Sequence, residues 1–390
     1  MAEEYERRHA TDVIKLHVGE PAFGPPPEAT RALVDAVRAG RTAYTCAEGA
    51  LWLREALTAK LARINAIDTT PDRVFATPGS CQGLAALMQS MAEPGAELLL
   101  PALHWPIYLQ QCLLAGFRPV FYPLGGDHLP DLDGIESVAT PATRAILLNS
   151  PANPTGAVLD RGRMSDLLHL ARTRGWRLIS DEAYEQFVYV GDHVSFAALE
   201  RDQRPEDRVV DSVFTFSKGA AMTGMRLGYV VTANDRAARA LRVVQEASIV
   251  APSTPIQHAG LAALQRWDAG QDNAELVRRN RDGVLPLLVG SGLLGALPHG
   301  GWYAVLDVSR TGLDAEAFAG ELLSDHGVAV APATGFALQP RLDDAGRVLE
   351  APAAPWSRHL VRIAFCGDPV ALRAGVERLV AFAAARSGGA

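Results

Sequence analysis

Lys218 lies in the stretch Val213-Phe214-Thr215-Phe216-Ser217-Lys218-Gly219-Ala220-Ala221-Met222-Thr223-Gly224-Met225-Arg226-Leu227-Gly228-Tyr229, which reads as a strand, a turn carrying one lysine, and a second strand. An amine held at a sheet edge among small residues, with an arginine eight positions on, suits a Schiff-base lysine beside a phosphate clamp. Taken alone, such a lysine reads more readily as a solvated surface residue. Three further segments favour the chemical reading. Asn149-Ser150-Pro151-Ala152-Asn153-Pro154-Thr155-Gly156 follows the apolar run Ala145-Ile146-Leu147-Leu148, and Asp181-Glu182-Ala183-Tyr184 follows Trp176-Arg177-Leu178-Ile179-Ser180. Thr77-Pro78-Gly79-Ser80-Cys81-Gln82-Gly83 separates a strand from an apolar helix. Ligands of open α/β sheets gather at the carboxyl ends of strands. Four polar or glycine-rich motifs fall at such ends.

The elements that must position these motifs alternate along the chain. Residues 73–77, 97–100, 117–122, 144–149, 176–180, 209–216 and 226–231 read as short strands, several apolar throughout, as strands covered on both faces are. Helical patterns lie between many of them; the one over 160–174 opens on Asp160 as N-cap and stops before Gly175. This alternation predicts a mostly parallel sheet with helices on both faces. Near residue 270 the texture changes. A long connecting helix over 271–288 leads to Gly300-Gly301-Trp302-Tyr303-Ala304-Val305-Leu306-Asp307, a helix from Asp314, strands near 327–331 and 360–365, and a closing helix. These form a smaller α+β unit. The Asp-, Ala- and Pro-rich stretch 341–357 reads as a surface loop.

Composition narrows the function classes. The chain has 390 residues, 48% of them hydrophobic, enough for a large core and more than one domain. A net charge of -7 with interspersed signs and no basic run argues against a nucleic-acid surface. The first eight residues are charged and lack an apolar leader core, and no apolar stretch is long enough to span a bilayer. Cys46, Cys81, Cys112 and Cys366 are scattered without a CxxC pair, so neither a metal site nor a disulfide framework is indicated and a reducing, cytoplasmic setting fits.

Together the four motifs resemble the fold-type I pyridoxal phosphate enzymes, specifically the class I/II aminotransferase family, from about Val18 to the final helix. The resemblance implies a large cofactor-binding domain (41–270) with a mostly parallel seven-stranded sheet. It also implies a small domain (271–390) with which residues 1–40 pack, and a homodimer with shared active sites. It assigns Lys218 to the internal aldimine and to proton transfer between substrate Cα and C4′, and Asp181 to the pyridine nitrogen. Tyr184 and Asn153 fall to the phenolic oxygen, and Trp105, in Leu103-His104-Trp105-Pro106-Ile107-Tyr108, to stacking on the ring. The phosphate falls to Gly79, Ser80 and Cys81 at a helix start, to Thr215 and Arg226, three before and eight after the lysine, and to Tyr44 reaching from the neighbouring subunit. Arg362, in His359-Leu360-Val361-Arg362-Ile363-Ala364-Phe365, matches the arginine that binds the substrate α-carboxylate. Gly19 matches a glycine that closes over the substrate, with Asn153 again nearby.

Each assignment also has a physical rationale. A carboxylate keeps a pyridine nitrogen protonated so that the ring accepts carbanion electrons. Helix-start amides favour phosphate. A guanidinium orients a carboxylate in a bidentate way that lysine does not reproduce. The implied activity is transamination between an α-amino acid and a 2-oxo acid. Elimination, replacement or cyclisation on the same scaffold is the alternative, because the cofactor constellation is common to both. A ligand sensor is disfavoured, since the chain begins almost where the family does. Departures from the family pattern are Cys46 for a usual proline, Ala333 for a usual glycine, and Cys81 where aspartate-preferring relatives carry a lysine. The last points to a substrate not selected for an acidic side chain.

Overall fold

The computed structural model describes Tyr5 and residues 13–387; apart from Tyr5, the charged opening stretch 1–8 lies outside the described residues. Seven strands form the main sheet: β1 (Val74–Thr77), β2 (Glu97–Pro101), β3 (Arg118–Tyr122), β4 (Thr143–Asn149), β5 (Arg177–Asp181), β6 (Val210–Thr215) and β7 (Gly228–Val231). Their order across the sheet is β1-β7-β6-β5-β4-β2-β3. Strands β2 to β6 pair in parallel, and β7 runs antiparallel to both β1 and β6. The expected mostly parallel seven-stranded sheet is thus present, each strand within a residue or two of its expected bounds.

Successive residues of a strand face opposite sides, so a run that is apolar throughout feeds two cores. Leu98, Leu100, Ala145, Leu147 and Ile179 pack on one face with Leu84, Leu87 and Tyr108, which belong to helices α3 (Gly79–Met91) and α4 (Pro106–Leu114). Leu99, Ile146, Leu148 and Leu178 pack on the other with Met164, Leu167 and Ala171 of α5 (Arg161–Arg174). Helix α5 is bounded as expected: the Asp160 carboxylate accepts from Arg163 N at 2.9 Å, and Gly175 ends it in the left-handed conformation at φ 71°. Near β1 and β7 a third cluster joins Leu53 and Leu57 of α2 (Leu51–Lys60) to Ala259 of α7 (Thr254–Gln265).

The expected single connecting helix over 271–288 is instead two. Helix α8 (Trp267–Val284) starts earlier, and a short helix (Pro286–Gly290) follows. Pro286 lacks the amide needed to continue the ladder and clashes with the preceding turn. Beyond it lies a smaller antiparallel sheet, β9-β10-β8, made of β8 (Tyr303–Asp307), β9 (Ala331–Pro332) and β10 (Leu360–Ala364). Residues of α9 (Ala315–His326) and α10 (Pro369–Ser387) share one buried cluster with those of β8 and β10.

The strand expected over 327–331 divides, because Val328–Ala329 pairs in parallel with Ile14–Lys15 while Ala331–Pro332 joins β10. The N-terminal segment, expected to pack in one piece with the smaller unit, divides too. Leu16 enters that unit's core, whereas α1 (Pro27–Arg38) lies against α7 of the larger unit, with Ala29 buried beside Leu53. The stretch 341–357 is not purely loop: Arg341–Leu342 and Val348–Glu350 form a two-stranded hairpin, largely exposed. Among the described residues no helix is long and apolar enough to cross a membrane.

Candidate active site

At the carboxyl ends of β4, β5 and β6 the chain leaves the sheet at Asn149, Asp181 and Thr215, and a cleft of ≈ 630 Å³ opens there. Lys218, Asp181, Tyr184, Asn153, Trp105, Ser80, Cys81 and Arg226 all line it, although they come from five separate stretches of sequence. Tyr184 and Trp302 offer ring faces to the Lys218 amine, whose Nζ lies 5.4 Å and 4.7 Å from their centroids.

Asp181 ends β5 and is buried. Its carboxylate accepts from Tyr108 Oη at 2.5 Å and from the amide of Ala183 at 3.1 Å, and no arginine, lysine or histidine is within ion-pairing distance among the described residues. Burial, ahead of every other influence, pushes its pKa up to about 6. A carboxylate so placed is suited to a cation that arrives with a ligand. Tyr184, also buried, packs edge-on against Trp302 and Tyr303, and burial raises its pKa well above the ordinary range. Trp105 caps the start of α4, with Tyr108 one turn on and edge-on to it at 5.4 Å.

At the other end of the cleft, α3 begins at Gly79 with no side-chain cap on its first amides. Gly79 has φ +78°, and the space a Cβ would take is filled by the Arg226 guanidinium. Arg226 Nη1 donates to Thr223 O at 2.5 Å and to Ser217 Oγ at 3.4 Å. Uncapped amides and a guanidinium are like-signed, so their juxtaposition calls for an anion between them. Thr215, expected among the phosphate donors, does not line the cleft. Its Oγ1 accepts from Ser217 N at 3.1 Å, holding the turn, and the side chain borders a small cavity behind it. Strand β6 ends at Thr215, and the turn it braces brings Ser217 to the cleft as well.

Arg362, in the middle of β10, is 8% exposed. Its Nη1 donates to Asn153 Oδ1 at 3.1 Å and its Nη2 to His17 O at 2.7 Å, and its Nε is buried without a partner. Tyr303 and Phe336 sandwich the guanidinium at 4.2 and 4.5 Å. Among the described residues no carboxylate pairs with it, which fits a site awaiting one. Gly19 lies beside it, where a Cβ would collide with Tyr303 Oη and come within 2.9 Å of Trp302 Nε1. Tyr44 is not brought to this cleft; it is 85% exposed.

The residues present therefore fit pyridoxal phosphate: a buried unpaired carboxylate for the ring nitrogen, paired cationic and amide donors for a phosphate, and an amine between them. Sequence reasoning did not single out Tyr108, Ser217, Glu20 or Tyr303 as lining the cleft. Tyr108 had a legible signal, since three residues after Trp105 on a helix returns to the same face. For Glu20, whose Oε1 accepts from Thr223 Oγ1 at 2.6 Å across 203 residues, there was none.

Comparison with known proteins agrees with this geometry. Residues 11–379 match the family model described as aminotransferase class I and II. The chain is 35% identical over 338 residues to the aspartate/prephenate aminotransferase of Thermus thermophilus, covering 85% of this chain and 86% of that protein. Among solved structures, aspartate aminotransferase from Thermus thermophilus with maleate superposes with a TM-score of 0.86 at 31% identity, covering 98% of this chain and 94% of that one. Aromatic aminotransferase from Pyrococcus horikoshii superposes with a TM-score of 0.85 at 29% identity, covering 98% of each chain.

Proposed function

The chain belongs to the aminotransferase class I and II family and is a pyridoxal phosphate-dependent aminotransferase, and on that premise we propose the role of each residue in its cleft. The observation that carries the reading is the convergence of Lys218, Asp181 and Arg226 on one cleft with Arg362 unpaired at its edge. Elimination or cyclisation on the same scaffold has no support in the comparisons, whose names are those of aminotransferases.

Pyridoxal phosphate, when bound, supplies an aldehyde that captures an amine and a protonated ring that takes up the electrons of the Cα–H bond. Lys218 Nζ would hold the cofactor covalently and, once free, would serve as the base that takes the proton from the substrate Cα and returns one. Asp181 keeps the proton on the ring nitrogen, and Tyr108 and the Ala183 amide fix its carboxylate. Asn153 uses its Oδ1 on Arg362, which leaves its amide hydrogens for the phenolic oxygen, and Tyr184 would share its hydroxyl between that oxygen and Tyr303. Trp105 lines the cleft where it would stack on the ring, a contact worth on the order of 1 kcal/mol beyond area burial. The amides of Gly79, Ser80 and Cys81 would hold the phosphate with Arg226 and the hydroxyls of Thr215 and Ser217, Thr215 also bracing the turn. Arg362 orients the substrate carboxylate beneath Gly19. The cleft lies between a large unit placed at residues 41–270 and a small unit at 271–390 that the N-terminal strand joins. The four free cysteines fit a reducing, cytoplasmic setting.

The working unit is a homodimer in which Tyr44 completes the neighbour's phosphate site. Its exposure supports this, because a tyrosine ring left bare in the segment between α1 and α2 is available as a contact surface rather than core. Mixing Tyr44→Ala with Lys218→Ala subunits restores part of the activity in heterodimers that each parent lacks. Sedimentation of the wild type as a fully active monomer overturns the shared site.

The substrate is an α-amino acid whose side chain is not acidic. Among the described residues the basic ones lining the cleft are Lys218 and Arg226, both assigned to the cofactor, and the lining also includes Glu20, Ile107 and the neutral Cys81. A cation for a second carboxylate is worth roughly 1.5–3 kcal/mol, about ten- to a hundredfold in specificity. A screen of amino acids given singly, without a 2-oxo acid, should show one half-reaction per site and no preference for aspartate or glutamate. A clear preference for either overturns the side-chain assignment. Unchanged substrate affinity in Arg362→Ala overturns the carboxylate assignment.

A further inference from the structure

Behind the turn that carries Asp181 and Tyr184 lies a buried polar network that none of the roles above uses. Alternation at the end of β5 turns Asp181 to the cleft and Ser180 and Glu182 to the opposite side. Glu182 is 2% exposed. Its carboxylate accepts from Ser180 Oγ at 3.1 Å and from Ser195 Oγ at 2.5 Å, and contacts His193 Nε2 at 3.0 Å. Three residues on, Glu185 takes both carboxylate oxygens to Lys60 Nζ, at 2.7 and 2.6 Å. Asn65 Nδ2 links the two halves, donating to Glu185 Oε2 at 2.8 Å and to Ser195 Oγ at 3.1 Å. Lys60 is itself buried, bonded to Tyr229 Oη at 3.0 Å and flanked by the rings of Phe214 and Trp267.

This arrangement is asymmetric in charge. The Lys60–Glu185 pair is neutral overall and ties the turn to α2. Glu182 has no lysine or arginine at ion-pairing distance among the described residues and is held by hydroxyls and one imidazole. A buried carboxylate beside a second one normally opposes the ionisation of its neighbour, and the Glu182 charge does act on Asp181 in that sense. The same field acts oppositely on a cation paired with Asp181. It holds a proton on that cation more firmly.

We propose that Glu182 is a positioning residue that acts through Asp181: its buried negative charge strengthens the hold of Asp181 on the proton of the cofactor's ring nitrogen, while the Lys60–Glu185 pair fixes the turn bearing both. The proposal rests on the assignment of Asp181 to that nitrogen. Glu185 and Lys60 bear on it by geometry, Glu182 by charge.

The test uses holoenzyme loaded with pyridoxal phosphate carrying ¹⁵N in the ring, whose chemical shift reports protonation directly. In Glu182→Gln the ring nitrogen's proton affinity falls about tenfold, its signal moves toward the unprotonated position, and kcat falls with little change in KM for the amino acid. Glu182→Asp, which keeps the charge, restores most of the signal. Ser195→Ala strips the carboxylate of one of the donors that hold it behind Asp181 and moves the signal the same way by less; this variant carries the test if Glu182→Gln fails to fold. In apoprotein, Glu182→Gln lowers the pH at which the Asp181 carboxyl titrates. A ring signal unmoved in both the Gln and Ala variants, while Asp181→Asn moves it, overturns the proposal and leaves the role of Asp181 intact. A signal unmoved in Asp181→Asn overturns the assignment on which the proposal rests.

Discussion

Lys218→Ala is expected to bind the cofactor without a covalent bond and to lose essentially all turnover. The chain has only three lysines, Lys15, Lys60 and Lys218. Lys60 is locked between both oxygens of Glu185 and three aromatic rings, and Lys15 lies on the strand paired with Val328–Ala329. Only Lys218 lines the cleft. On the role proposed for it, its removal deletes both the nucleophile for covalent capture and the group that moves the proton at Cα. General acid–base transfer alone is worth about 10²–10⁴-fold, so a loss on the order of 10⁴ or more in kcat is expected. Borohydride reduction of the wild type followed by peptide mapping should place the pyridoxyl label on Lys218. A label on either other lysine refutes the assignment.

Asp181→Asn should cripple Cα–H exchange while preserving the fold. An amide cannot hold the ring nitrogen's proton as a carboxylate does, and breaking a buried charge pair from one side costs about 3–4 kcal/mol, roughly 10²- to 10³-fold in kcat. Stability should move in the opposite direction in the apoprotein. Burial raises the carboxyl from 3.8 to about 6, so between those values the native state holds more protons than the unfolded chain. Apoprotein stability therefore falls as pH rises through that window, and at neutral pH the ionised Asp181 is a cost on the order of 3 kcal/mol. Asparagine removes it. Thermal unfolding at pH 7 should find apo Asp181→Asn at least as stable as apo wild type, and holo Asp181→Asn less stable than holo wild type. Near-normal activity in the variant would mean that the ring nitrogen is handled by another group.

The sequence by itself determined whatever depends on neighbours along the chain. The all-apolar runs around Leu98-Leu99-Leu100 and Ile146-Leu147-Leu148 specified strands feeding two cores, and the motifs directly after them had to fall at strand ends. Asp160 and Gly175 bounded a helix through local hydrogen bonding and a left-handed φ. An arginine amid the apolar residues of β10 marked a buried guanidinium in want of an anion. Where the helix pattern was misread, the competing local signal is identifiable: Pro286 broke the connecting helix.

Only the tertiary structure decided which distant groups meet. Tyr108 reaches Asp181 across 73 residues, Lys60 reaches Glu185 across 125, and Asn153 reaches Arg362 across 209. These contacts follow from the order and register of the strands and from the packing of helices onto them. Periodicity along the chain tells a residue which face it occupies, but not which element will cover that face. An isolated charge such as Lys60 therefore reads as a surface residue until the fold closes Glu185 and three aromatic rings around it. Burial is a property of the assembled layers, and with it come the unpaired Asp181 and Arg362 that make the cleft a site.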